Sequence, residues 1–316
     1  MELVQNFLPV ADEVFRLQRG NDDECRLFQK FADQGHYRTP GTTRQGTYAV
    51  TPNGTLLASI NSTSPERIAG MMESALARWK DLTPEERLFP KESASDEANI
   101  RRFEGMYPKD GLVLKVNTRD FPRENVQPGW RADAWNQDYA WFKKDEARAF
   151  LPRRIHVGAR QQLATPVVNR LARFCLVDNV RGQTNYWPAG AVQQAELISF
   201  VTAVEGNLVT LRLRGAAWLE WDFRWTPERR RNREPQRQSS LHGYNPTLFG
   251  RAQYDLATER FVSFEMVASG RRWGRTSLNG RTGDEEGGPM GVAFALGRDI
   301  PAEHVTPAHF NAYGWR

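Results

Sequence analysis

Apolar positions along this chain shift from a helical period to a strand-like one as the sequence proceeds. An apolar stretch at 10–17 reads as a short strand ending at Arg19-Gly20. The acidic run Asp22-Asp23-Glu24 then opens a helix with an apolar face of Leu27, Phe28 and Phe31. Carboxylates there suit the positive end of the helix dipole, and Gly35 is the natural stop. TYAVTP and TLLASIN are two strand-like runs joined by Asn53-Gly54, a dipeptide that favours hairpin turns. Ser64 follows as an N-cap with Pro65 in the first turn. Ile68, Met71, Met72, Ala75, Leu76 and Trp79 then make one continuous helical stripe of core side chains.

Residues 81–110 are polar, charged and punctuated by proline, which predicts a linker with a helical turn near 94–104. GLVLKVNTRDF is a strand, and residues 130–151 carry Trp130, Trp135, Tyr139, Trp141, Phe142 and Phe150 in a partly helical stretch. Such aromatic density suits the packing between two modules. Thr165-Pro166 starts a further helix bearing Val168, Leu171, Ala172 and Cys175. Strands then follow one another. AELISFVTAVEG and NLVTLRLRGAAWLEWDF turn around Glu205-Gly206-Asn207, LFGRAQYDLATERFVSFEMVASG is a second hairpin, and GPMGVAFALG is a closing strand. Leu208, Thr210 and Arg212 alternate with Val209, Leu211 and Leu213, while Phe261, Ser263 and Glu265 alternate with Val262, Phe264 and Met266. One polar face per strand predicts an antiparallel open meander or small barrel.

A length of 316 residues, 40% hydrophobic and 26% charged, fits two globular modules. The expected fold class is α+β: an α/β domain at 1–82, a linker and aromatic connector at 83–152, and an antiparallel β-rich domain at 153–316. No apolar run reaches the roughly 18–20 residues needed to cross a bilayer, and the first residues lack the pattern of a secretory signal. Cys25 and Cys175 are the only cysteines, too few for a disulfide framework or a thiolate zinc site, so the cytoplasm is the expected compartment. The net charge is +5, and the one dense basic run lies at 224–237. That run reads as a solvated loop. Without an RNP motif, zinc finger or helix-turn-helix nearby, sequence-specific nucleic-acid binding is not expected.

The order helix, hairpin, amphipathic helix over residues 5–80 resembles the thioredoxin fold. In that family a helix begins at a Cys-x-x-Cys motif, and a hairpin with a final helix closes the sheet. The resemblance puts Asp22 at the position of the attacking cysteine and Cys25 at that of its partner. It puts Gly46 where the family has a cis-proline. The implied domain is a degenerate one without dithiol chemistry. The whole chain is also similar to bacterial proteins that join such a domain to a β-rich tail.

Cys25 is the first candidate for chemistry, with Asp22 beside it. A thiol in the first turn of a helix gains thiolate character from the dipole, whereas three neighbouring carboxylates oppose it. Cys175 lies on an apolar stripe and reads as a small buried hydrophobe. His36, His156, His242, His304 and His309 are scattered, and His304 and His309 are five apart rather than three or four, so no metal site is expected. No Walker loop, nucleophile elbow or Rossmann fingerprint occurs, and no cofactor is expected. Residues 270–291 are rich in glycine and arginine. Arg271, Arg272, Arg275 and Arg281 could converge on an anion with Trp273 as one wall.

Three functional readings follow, and whether the chain is an enzyme stays open. The leading one is a non-classical thioredoxin-like protein of thiol-linked or accessory redox physiology, centred on Cys25. The alternative is a non-catalytic binding protein whose β domain holds a small anionic ligand at residues 271–281. The third is a nucleic-acid-associated accessory protein. The partner is a protein or small molecule in the first two, and none involves a membrane.

Overall fold

The computed structural model describes residues 3–10, 14–36, 43–88, 104–123, 130–225 and 238–315. The chain divides into two compact units, 1–100 and 101–316.

The first unit holds the helices α1 (Val14–Leu17), α2 (Asp23–Ala32), α3 (Pro65–Asp81) and α4 (Pro84–Arg87), with the strands β1 (Thr47–Val50) and β2 (Leu56–Ile60). The stretch expected as a strand at 10–17 ends in the helical turn α1, and the only sheet among the described residues of this unit is the antiparallel pair β1–β2. The hairpin forms as expected, but its turn begins earlier than Asn53-Gly54. Gly54 N–H donates to Thr51 O at 2.9 Å, and the ladder closes at Val50↔Leu56. Pro52 explains the shift, because its fixed φ suits the second position of a turn and it has no N–H for a ladder. Gly54, at φ +81°, completes the bend under Leu27.

Ser64 caps α3 as expected, accepting from Arg67 N–H at 3.3 Å, and Pro65 stands in its first turn. Met71 and Ala75 are the deepest residues of the stripe. They close a small core with Ala49 and Leu57, while Met72 and Trp79 pack on its margin. In α2 the buried face is Cys25, Phe28 and Ala32, at i, i+3 and i+7, so Leu27 turns outward to cover the hairpin turn.

The second unit is built on one eight-stranded antiparallel sheet in the order β4-β3-β10-β9-β8-β7-β6-β5. Its strands are β3 (Leu112–Asp120), β4 (Trp135–Phe142), β5 (Arg160–Gln162), β6 (Val192–Glu205), β7 (Leu208–Trp225), β8 (Gln238–Asp255), β9 (Arg260–Trp273) and β10 (Gly288–Leu296). The short helices α5 (Trp130–Asp133) and α6 (Lys144–Arg148) flank β4, and α7 (Thr165–Arg170) runs on into a π turn, Leu171–Cys175. The segment expected as linker and connector therefore supplies two strands of this sheet, with β3 paired to β10. Four of its aromatic residues are core rather than hinge: Tyr139, Trp141, Phe142 and Phe150 are buried, whereas Trp135 is exposed.

The expected hairpins are present. Glu205 pairs with Leu208 across Gly206, which takes φ +58° at the first turn position. The alternation predicted for β9 changes phase once. Tyr254 pairs with Phe261 and Gln253 with Ser263, leaving Val262 as a bulge, so Phe261 and Phe264 both face the core. The sheet is an open meander and not a closed barrel. The π turn after α7 touches both β4, at one end of the strand order, and β6, next to the other. It adds Leu171, Ala172, Phe174 and Cys175 to the core between the unjoined ends. No described helix is long and apolar enough to cross a membrane.

Candidate functional site

The two residues expected at a redox centre stand together at the start of α2. Asp22 is the N-cap of α2, and its carboxylate accepts the N–H of Cys25 at 2.9 Å. Cys25 itself is fully buried. Cys175 is buried as well, and burial, with the Asp138 charge behind it, pushes its thiol far above the ordinary range. Burial and a raised thiol suit Cys175 to a small hydrophobe rather than a nucleophile.

The arginines of 270–291 do not converge on an open face. Arg272 projects from β9 into the interior, and Arg281, in the loop before β10, is equally buried. Arg281 binds Asp120 of β3 at 2.6 and 2.9 Å and Asp178, beyond the π turn, through Nε at 2.8 Å. Asn279 adds a bond to Asp178 at 3.3 Å. Asp284 forms the second node. Arg123 grips it with two bonds of 2.9 Å, Arg181 reaches it at 2.9 Å, and Arg272 binds both its carboxylate and its backbone carbonyl. Burial alone would raise the Asp284 carboxyl, but the guanidinium groups of Arg123 and Arg272 hold it down at about 2. Burial likewise opposes the ionised form of Asp120, and Arg281 and Arg181 outweigh it, leaving that carboxyl below its usual value. His242 of β8 is stacked on Trp187 at 4.4 Å; burial lowers it to about 4, and the Asp178 charge only partly offsets this. The imidazole is therefore neutral at pH 7.

Three expected ligand residues lie apart from this buried pair. Arg271 is exposed and donates to Glu286 O at 2.9 Å, Arg275 pairs with Glu285 at 3.4 Å, and Trp273 lies over Gly243, where a Cβ would meet its ring at 2.0 Å. The segment's own acidic residues neutralise much of its basic charge. Asp284 lies within the stretch that suggested an anion site, and the acidic block Asp284-Glu285-Glu286 directly after the arginines is the signal for internal pairing.

An open cationic site lies elsewhere in the unit. A groove of about 470 Å³ is lined by residues 105–111, Lys143, Lys144 and Trp315. The tight turn into β3 at Gly111 forms one wall, and a Cβ there would meet Phe142 O at 2.0 Å, so only glycine fits. Trp315 is held from below: Phe310 and Tyr313 pack on it, and Arg170 lies over its ring at 5.2 Å while bound to Glu146 at 2.6 Å. Lys144 pairs with Glu259, and Asp110 with Arg260. Lys109 and Lys143 have no carboxylate partner among the described residues; Lys143 Nζ lies over the Trp315 ring at 5.2 Å instead. The C-terminal segment that brings Trp315 here is tied to β4 through Asp138, which accepts from Tyr139 N–H at 2.7 Å and Ala308 N–H at 3.0 Å. Burial raises the Asp138 carboxyl to about 6 against those two bonds.

None of the four groove residues was marked by the sequence reading. Lys109 and Lys143-Lys144 stand in ordinary turn and helix-start contexts, and Trp315 lies about 170 residues further on. No cluster of three or more His, Cys, Asp or Glu suited to a metal occurs among the described residues. The basic run at 226–237 lies outside the described residues. No family model, curated protein or solved structure matches the chain, so the functional reading rests on this geometry.

Proposed function

We propose that this chain is a non-catalytic binding protein whose β-rich unit holds a small anionic ligand, and that the ligand occupies the lysine-lined groove rather than residues 271–281. The observation that carries the reading is the placement of Lys109 and Lys143, without carboxylate partners among the described residues, beside the indole of Trp315 in a groove of about 470 Å³. That volume falls within the range of about 300–1,000 Å³ common to small-molecule sites. Ammonium groups supply charge without fixed directionality, the buried indole fixes Lys143 from below, and the half-buried Met106, Tyr107 and Pro108 supply apolar lining. Calorimetric titration with phosphate, a dicarboxylate and a nucleoside monophosphate tests it. Lys109→Ala and Lys143→Ala should each weaken the best of these by roughly 10-fold or more, the loss of one charge-assisted hydrogen bond. Absence of saturable binding by all three probes would remove the reading.

For the N-terminal unit we infer a degenerate thioredoxin-like scaffold used for docking to a protein partner. Support comes from the β1–β2 hairpin followed by α3, and from a helix opened at Asp22–Cys25. The redox reading ranks second, on the placement of Cys25 in the first turn of α2. Fast labelling of native Cys25 by a thiol reagent would promote it. Two cysteines in 316 residues support a reducing compartment such as the cytoplasm.

A further inference from the structure

The arginine network contains a second feature, independent of the groove. Among the described residues it joins four guanidinium groups (Arg123, Arg181, Arg272 and Arg281) to three carboxylates (Asp120, Asp178 and Asp284). The imbalance is concentrated at one atom. Asp284 Oδ2 lies 2.9 Å from Arg123 Nη2, 2.9 Å from Arg181 Nη1 and 3.4 Å from Arg281 Nη1, and it also binds Arg272 Nη2. A carboxylate oxygen has about two lone-pair directions, so four donors exceed what it can accept. The Nε–H groups of Arg123, Arg181 and Arg272 are buried and have no hydrogen-bond acceptor. Arg272 is fully enclosed, whereas the side chains of Arg123 and Asp284 retain 20% and 18% of their exposure at the outer edge of the network. Burial, and then the charge of Arg281, makes Arg272 harder to keep protonated, whereas Asp284 raises Arg123 and, against burial, Asp120 and Asp178 raise Arg281. His242 beside the network is neutral and adds no charge.

We propose that the network is an anion site: a small monovalent inorganic anion of the halide class binds beside Asp284 and accepts from the unpaired guanidinium Nε–H groups. Its role is structural. It brings four positive and three negative charges into balance and fastens the loop between β9 and β10 to the end of β3. A halide suits the position because it is small and accepts from several directions at once.

The test uses the full chain, purified in gluconate and titrated with sodium bromide at constant ionic strength while the melting temperature is followed. The wild type should show a saturable rise. Arg123→Gln, at the partly exposed end, leaves three charges of each sign and should weaken bromide at least 10-fold. Lys109→Gln combined with Lys143→Gln should leave the bromide response unchanged, which separates this site from the groove. Bromide anomalous scattering from crystals should place a peak within hydrogen-bond reach of Arg272 Nε or Arg181 Nε, a readout that needs no variant. A melting temperature indifferent to bromide, a response retained in Arg123→Gln or lost in the double lysine variant, or a peak elsewhere would each overturn the proposal.

Discussion

Two basic regions of the second unit have opposite fates. Around Asp284 the arginines are enclosed and bound to carboxylates from β3, the 178–181 segment and their own loop. At the groove, Lys109 and Lys143 stand at an open surface beside Trp315. The contrast follows from side-chain chemistry. A planar guanidinium can bind two carboxylates at once and tolerates burial when so bound, whereas an ammonium is strongly hydrated and favours the solvent boundary. Positive charge in a sequence therefore does not by itself mark an open groove for a ligand; what matters is how far the carboxylates delivered by the fold enclose and neutralise it.

The sharpest way to break this comparison is to remove a network arginine. Arg281→Met should destabilise the protein by about 3–5 kcal/mol in urea unfolding, because Asp120 and Asp178 would be left buried without their partner. The sequence alone suggests that truncating Arg272, taken as an exposed ligand residue, would barely affect stability. The structure reverses that expectation, and Arg272→Ala should also be strongly destabilising.

The next effect in size is a pH dependence. His242 is held near 4 in the folded protein, against about 6.5 when unfolded, so the unfolded chain takes up the proton first as pH falls. Between pH 7.5 and 5 this should remove about 2 kcal/mol of stability, and His242→Gln should abolish that component. Asp138 acts with the opposite sign. Its folded value of about 6 lies above the unfolded value near 3.9, so the folded state takes up the proton first and gains stability as pH falls through 6. The gain over the same interval should be about 1 kcal/mol. Asp138→Asn should therefore steepen the acid loss, and stability curves of the two variants should diverge on either side of the wild type. The smallest effect belongs to the groove: Lys109→Ala and Lys143→Ala should each change stability by no more than about 0.5 kcal/mol while weakening anion binding.

What could be read from sequence was what short-range physics decides. Ser64 as a cap, Gly206 at a positive φ, the Met71–Ala75 face and the strand pairs β6–β7 and β8–β9 all depend on neighbours within a few residues or one turn. Distant pairing escaped. Residues 112–142 read as a strand and a connector because nothing nearby reveals that β3 pairs with β10. The Val262 bulge escaped too, since a bulge shifts the facing pattern without altering residue types. Arginine is visibly concentrated at residues 271–281. Their meaning depends on Asp120 and Asp178, more than 90 residues away in sequence.

The pairing of β3 with β10 has a consequence for how the protein is made. About 170 residues separate the end of β3 from the start of β10. At about 5–20 residues per second, a ribosome needs roughly 10–35 s to deliver the second strand after the first. Throughout that interval the β3–β4 hairpin is synthesised but presents an unpaired edge along Leu112–Asp120. Asp120, waiting at its end, also lacks Arg281, which emerges only just before β10. Completion of the sheet and neutralisation of its buried charges thus become one late event, after nearly the whole unit has left the ribosome. A nascent chain stalled before residue 281 should be sensitive to protease along β3, and one released after residue 296 should not.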